Sequence, residues 1–177
     1  MRAVKGLDQK SIQMGDVIVL CGRGPMGSGM EEVAQITLAL KYLPWGKHVA
    51  LLTDARFSGV STGACIGHIG PEALAGGPIG KLREGDLVNI EINQKELTGE
   101  INFIGRADQK VSPEEGKTIL LNRTTPSTLQ ADPRLPQDTR LWAALQNVSG
   151  GTWGGCIYDV EEIIQIIEKG KASLINK

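Results

Sequence analysis

"VIVLCGRGPMGSGMEEVAQITLALKY", residues 17–42, decides the fold. Val17 to Cys21 is an unbroken apolar run, too short for a helix and rich in β-branched residues, as in a strand buried on both faces. Glycines 22, 24, 27 and 29 then open a loop. From Met30 to Tyr42 the period becomes that of a helix, with Val33, Ile36 and Leu40 near one face and Leu43 continuing it. "HVALLT", residues 48–53, is a second buried strand. Strand, glycine loop, helix and strand make a βαβ unit, which implies parallel pairing and an α/β domain.

Working outward, "EGDLVNIEI" (84–92) is a turn into an alternating strand, and "ELTGEINFIG" (96–105) is its hairpin or meander neighbour. "SPEEGKTILL" (112–121) opens a helix with Ser112 as N-cap and Pro113 at the first helical position. Residues 122–138, with Pro126, Pro133 and Pro136, read as an irregular connection, and helices follow at 138–147 and 159–169, the second ended by Gly170. The sequence therefore predicts one domain over 1–177, with a mixed, sheet-rich core at 1–121 and a connection plus helical tail at 122–177.

A chain of 177 residues with 41% hydrophobic and 22% charged residues can bury a true core, and its net charge of −1 offers no basic stripe for nucleic acid or an anionic membrane. Its apolar runs are far shorter than a bilayer crossing, and the N-terminus lacks a signal-peptide core, so the expected compartment is the cytoplasm. Cys21, Cys65 and Cys156 lie far apart without C-x-x-C spacing, as expected of reduced, buried thiols.

Gly22, Gly24 and Gly27 satisfy G-x-G-x-x-G, but the acidic residue that a dinucleotide site wants about 20 residues later is not in place. What the loop does offer is a set of N–H groups at a helix N-terminus, suited to an anion. Glu31 and Glu32 follow it as first-turn acids. The second candidate segment is "LLTDARFSGVSTGACIGH", residues 51–68, in which Gly59-Val60-Ser61-Thr62-Gly63 matches the G-x-S-x-G elbow of hydrolases. That fold needs serine, acid and histidine in chain order. His48 precedes Ser61, and no acid separates Ser61 from His68, so the triad cannot be completed.

Three ordered segments, "GPMGSGMEE", "TDARFSG" and "IGHIGPEALAGGPIGKLREGDLVNIEI", resemble the C-terminal region of the dihydroxy-acid dehydratase and 6-phosphogluconate dehydratase family. The likeness is close over residues 16–92, and "DTRLWAALQNVSGGTWGGCIYD" is most similar to the sugar-acid branch that includes bacterial xylonate dehydratases. Ala55 stands where the family usually has glycine, and the loop before Met30 is one residue shorter than in the branched-chain amino-acid enzymes.

The resemblance implies a single swivelling β/β/α domain, a small barrel-like mixed sheet with flanking helices akin to the mobile domain of aconitase. It implies a hydro-lyase that converts a 2,3-dihydroxy sugar acid such as xylonate into a 2-keto-3-deoxy acid, using Mg²⁺ and an iron–sulfur cluster. By resemblance Ser58 is the catalytic base and Glu32 the magnesium ligand, while Arg56, Gly59, Ser61 and Thr62 contact the substrate. None of the three cysteines matches a cluster ligand. The cluster cysteines and the remaining magnesium ligands, a carbamylated lysine among them, are expected in an N-terminal dehydratase domain that this chain lacks. The expected partners are therefore the small-molecule sugar acid, that domain, and further copies in a homo-oligomer, with neither nucleic acid nor membrane. The chain alone is expected to be inactive and to self-associate through a surface containing the Gly22–Gly29 loop, the Ser58 turn and the Gly76–Gly80 segment. The alternative is a non-catalytic sugar-acid-binding or interaction module derived from a truncated paralogue.

Overall fold

The computed structural model describes residues 12–175. Strands β1 (Val17–Leu20), β2 (Ala50–Thr53) and β3 (Ala64–Ile66) form a parallel sheet in that spatial order. The β1–β2 crossover carries a short helical turn, α1 (Pro25–Ser28), and a helix, α2 (Ala34–Lys41). Strands β4 (Asp86–Asn93), β5 (Thr98–Arg106) and β6 (Gln109–Lys110) form a separate antiparallel sheet. Helices α3 (Pro113–Asn122), α4 (Gln137–Val148) and α5 (Val160–Ile175) follow.

Side-chain alternation along β1 and β2 makes the layers. Ile18 and Leu51 point to one face, where they pack with Leu40 and Ile36 of α2. Val17, Val19 and Leu52 point to the other, toward Val88 and Ile90 of β4. The order is helix, parallel sheet, antiparallel sheet. Leu51 and Leu52 are wholly buried, and each such side chain contributes about 1.5–3 kcal/mol. The expected α/β domain is thus present, its mixed sheet resolved into two packed three-stranded sheets, with no closed barrel among the described residues.

Three local readings are corrected. The helix expected from Met30 begins only at Ala34, because Gly29 (φ 70°) and Met30 (φ 61°) turn the chain left-handed and Glu32 then pairs with Arg56 as an isolated bridge. Strand β3 was not anticipated, since its three residues sit among glycines and lack a pattern. Helix α5 runs through Gly170, where an interior glycine costs about 1 kcal/mol but no proline follows to stop the helix. At α3 the structure agrees with the sequence: Ser112 and Glu115 form a reciprocal capping box with Pro113 at the first position. The N-terminal reading falls on residues 1–11, outside those described.

Two buried carboxylates hold the loops at one end of the parallel sheet. Asp54, immediately after β2, is 2% exposed. It accepts N–H bonds from Gly22 (3.0 Å), Arg23 (2.9 Å) and Ala73 (2.9 Å). Glu72, 1% exposed, accepts the N–H of Met26 at 3.0 Å and through its own N–H donates to Thr152 Oγ1 at 3.2 Å. The amides of Gly27, Ser28 and Gly29 go to carbonyls of Gly24 and Pro25. The glycine loop is therefore closed on the protein's own acids and carbonyls rather than open to an external anion. A Cβ on Gly24 would lie 2.5 Å from Glu72, and one on Gly27 would lie 2.1 Å from the Gly22 carbonyl. Those glycines serve internal packing.

Replacing Asp54 by alanine strands three N–H groups, two of them on the glycine loop. At about 1–3 kcal/mol for each buried orphan, urea unfolding should show a loss of about 3 kcal/mol or more. Asp54→Asn, which keeps one acceptor oxygen, should lose less. An Asp54→Ala loss below about 1 kcal/mol contradicts the role.

Glu72 carries a pH signature. Burial pushes its carboxyl up from 4.5 to about 6, the Met26 N–H opposes the rise and the Asp54 charge adds to it. The folded state thus holds this proton more tightly than the unfolded chain does. Its stabilising effect is complete below about 4.5 and is lost as pH rises through about 6. Glu72→Gln stays neutral and keeps an acceptor for Met26. Its Tm should exceed the parent's above about pH 7, and the gap should close on acidification. A gap independent of pH contradicts the assignment.

Candidate active site

The site begins where β2 runs out. Thr53 Oγ1 accepts the N–H of Ala55, which turns the chain as Asp54 enters its pocket. Ala55 is completely buried and lies outside the left-handed region, so its methyl group sits here without backbone strain. Arg56 then pairs in parallel with Glu32 as an isolated bridge: the Val33 N–H donates to the Arg56 carbonyl at 3.1 Å, and the Arg56 N–H to the Glu31 carbonyl at 3.5 Å. Side chains reinforce it. Arg56 Nε donates to the Met30 carbonyl at 2.9 Å, and its guanidinium lies 3.7 Å from the Glu32 carboxylate. Glu32 and Arg56, far apart in sequence, thus stand side by side and half exposed.

Neighbouring charges extend this rim. Arg23 pairs with Glu31 at 2.9 Å and lies 3.7 Å from Asp132. Hydrogen bonds from Arg134 hold the Asp132 carboxyl down at about 2, so it stays ionised at any working pH. The Asp132 N–H also donates to the Gly27 carbonyl, fastening the proline-rich connection to the glycine loop.

Ser58 follows Arg56 by two residues and is half buried. Its Oγ accepts the Val60 N–H at 3.5 Å, and its carbonyl accepts the Ser61 N–H at 3.1 Å, so residues 58–61 form a turn. Ser61 Oγ is buried without a hydrogen-bond partner. Gly59 has open space where a Cβ would be and no left-handed φ, so neither packing nor backbone conformation in this chain demands a glycine there. Beyond the turn the chain crosses back to start β3 level with Ala50. Thr62 accordingly lines a groove of about 500 Å³ with Lys41, Leu43, Lys47 and Val49 at the opposite end of the sheet. Glu32 and Arg56 stand paired, Ser58, Gly59 and Ser61 follow in the adjoining turn with Ser61 Oγ buried, and Thr62 lies beyond that turn on the groove. His68 is exposed and left-handed (φ 53°), with its N–H on the Ala55 carbonyl.

The residues present do not by themselves fit a magnesium ion or an iron–sulfur cluster. Glu32 is a single carboxylate facing a guanidinium, and no group of three His, Cys, Asp or Glu able to hold a metal occurs among the described residues. Burial raises the thiols of Cys21 and Cys65, away from the thiolate that a cluster needs.

Sequence reasoning missed Glu72 and Arg23. The available signal for Glu72 was an acid within "IGPEALAGG", a stretch without a cation to pair it, which marks a buried acceptor. For Arg23, an exposed partner of Glu31 across a glycine turn, there was no signal.

Among proteins of known activity, the chain is 58% identical over 173 residues to D-xylonate dehydratase YagF of Escherichia coli (strain K12), covering 98% of this chain and 26% of that protein. It is 61% identical over 163 residues to D-xylonate dehydratase YjhG of the same organism, covering 91% of this chain and 25% of that protein. A dihydroxy-acid dehydratase of Leifsonia xyli subsp. xyli is 49% identical over 96 residues, 54% of this chain and 17% of that one. The chain thus spans about a quarter of the length of its xylonate dehydratase relatives. No helix among the described residues is long and apolar enough to cross a membrane. Residues 1–132 match the family model "Dihydroxy-acid/6-phosphogluconate dehydratase C-terminal", and the chain belongs to that family.

Proposed function

We propose that this chain is the C-terminal domain of a cytoplasmic hydro-lyase that dehydrates a 2,3-dihydroxy sugar acid such as D-xylonate to the 2-keto-3-deoxy acid. The observation that carries the reading is the bridge that sets the Glu32 carboxylate beside the Arg56 guanidinium with Ser58 two residues on, all within the family-matched segment. The reaction removes a proton from C2 and hydroxide from C3, and the resulting enol tautomerises to the ketone. Ser58 Oγ takes the C2 proton. A neutral serine is a poor base at pH 7, so it needs help. Arg56 supplies a nearby positive charge, and the Val60 N–H, loose at 3.5 Å, supplies a donor that strengthens toward an alkoxide. Arg56 and the Gly59 backbone orient the acid's carboxylate, and Ser61, its Oγ buried in the turn, adds at most one hydrogen bond. Thr62, on the far edge, is left out of that contact.

Mg²⁺ and an iron–sulfur cluster supply Lewis-acid chemistry in the complete enzyme. We assign their ligands to the N-terminal dehydratase domain, with Glu32 adding one carboxylate, and no step above runs through either group. The pairing of Glu32 with Arg56 favours one other reading, a sugar-acid-binding module without catalysis.

Two assays separate these readings. The 177-residue chain, given D-xylonate with Mg²⁺ and with iron and sulfide, should bind without turnover; robust turnover contradicts the need for a second domain. In a complete enzyme carrying this domain, Ser58→Ala should lower kcat by roughly 10²–10⁴-fold with little change in KM, and should abolish exchange of the C2 hydrogen with solvent. Ser61→Ala should cost about 1 kcal/mol, the loss of one hydrogen bond. Abolition by Ser61→Ala with retention by Ser58→Ala would place the base on the wrong serine. A complete enzyme that binds xylonate but never exchanges C2 would favour the binding module.

A further inference from the structure

Of the three segments expected on an association surface, Gly76–Gly80 has Gly77, Ile79 and Gly80 buried within the chain, which leaves the Gly22–Gly29 loop and the Ser58 turn. Arg23, on the first of these, is a charged residue that the reaction does not use. Its guanidinium takes the Glu31 carboxylate at 2.9 Å, while the next residue, Glu32, faces Arg56 at 3.7 Å. Two adjacent acids are thus divided between two arginines. Arg23 is held at both ends: its N–H donates to the buried Asp54 at 2.9 Å, and Asp132, itself gripped by Arg134, backs its guanidinium at 3.7 Å. An ion pair as exposed as that of Arg23 with Glu31 adds little to stability, so its effect is to fix where Glu31 points. Arg56, by contrast, keeps an open fork. Among the described residues its guanidinium donates one hydrogen bond, from Nε to the Met30 carbonyl, and the Glu32 contact is too long to be another. The Arg56 N–H also donates to the Glu31 carbonyl at 3.5 Å, so Glu31 stands within a side chain's length of that fork.

We propose that Arg23 is a positioning residue for the reaction proposed above: it keeps Glu31 off Arg56, so that the Arg56 fork stays open to the carboxylate of the sugar acid. This rests on that function, which gives the substrate's carboxylate to Arg56. Glu32 alone balances the Arg56 charge. A second glutamate on the same guanidinium would occupy its free donors and leave the trio negatively charged, which repels an anionic acid. Glu31 has one ion pair among the described residues, the one to Arg23. Released from it, the carboxylate is left beside Arg56 in the backbone bridge, with the open fork as its new partner. Arg23 acts through Glu31 and not on the substrate.

A double-mutant cycle tests it, with Arg23→Ala, Glu31→Gln and the two together. In a complete enzyme carrying this domain, Arg23→Ala should raise KM for D-xylonate about tenfold or more, with a smaller effect on kcat. Glu31→Gln alone should stay within about twofold of the parent, and the double variant should return to within about threefold of it. In the 177-residue chain the Arg56 guanidinium resonance, identified by its loss in Arg56→Lys, should shift in Arg23→Ala and return in the double variant. An Arg23→Ala enzyme with the parent's KM overturns the proposal. So does a loss that Glu31→Gln does not relieve, which would make Arg23 a brace for the loop. Recovery with the Arg56 resonance unmoved throughout also overturns it, since overall charge would then suffice. A parent enzyme that neither binds nor dehydrates D-xylonate contradicts the proposed function instead, while the resonance in the chain separately reads whether Arg23 keeps Glu31 off Arg56.

Discussion

Three backbone N–H groups converge on one buried carboxylate, Asp54, with no cation paired to it among the described residues. An unpaired buried charge is among the most costly things a fold can hold, and here the donors come from two segments that no secondary structure joins. Gly22 and Arg23 belong to the loop after β1, Ala73 to the turn before the antiparallel sheet, and Asp54 ends β2. The carboxylate's hydrogen bonds are complete only while all three meet. Glu72 repeats the device one layer out, drawing the Met26 N–H inward and tying the 150–156 loop beneath it through Thr152.

What faces solvent follows from that clamp. With Asp54 turned inward, Ala55 is buried behind it and Arg56 emerges alongside Glu32, so the two meet through backbone pairing as well as through their side chains. Ser58 inherits its place from Arg56. The G-x-S-x-G match at 59–63 loses its elbow meaning for the same reason: Ser61 lies within a turn closed by the Ser58 carbonyl, and the chain beyond it travels back across the sheet to begin β3. Glycines that resemble a phosphate cradle at 22–27 are spent on internal acids, whereas Gly59, which nothing in the chain requires, borders the open surface.

The layers were legible because apolar periodicity reports them directly. Val17–Leu20, Ala50–Thr53, β4, β5 and the Ser112-capped helix all carry patterns set by local sterics and burial. The site was legible in part. The motif resemblance named Glu32, Arg56 and Ser58, and the structure adds the pairing of Glu32 with Arg56. Elements fixed by long-range pairing were not legible. Residues 31–33 have helical composition and stay out of the helix where Glu32 bridges to Arg56, and β3 is a strand only because β2 offers it an edge. Gly170 misled in the opposite direction, since a helix-breaking tendency of about 1 kcal/mol is outweighed by the favourable residues on either side. Thr62 is a substrate contact by resemblance, and the structure sets it on the groove where the chain begins β3.

The most direct measure of the Asp54 clamp is residue-resolved amide hydrogen exchange on the native chain. If the carboxylate holds the loops together, the amides of Gly22, Arg23 and Ala73 should exchange as slowly as those of Leu51 and Leu52 in β2, although the acceptor of all three is a side chain and not a backbone carbonyl. Exchange of these three amides as fast as that of the exposed Gly59–Gly63 turn would contradict the account.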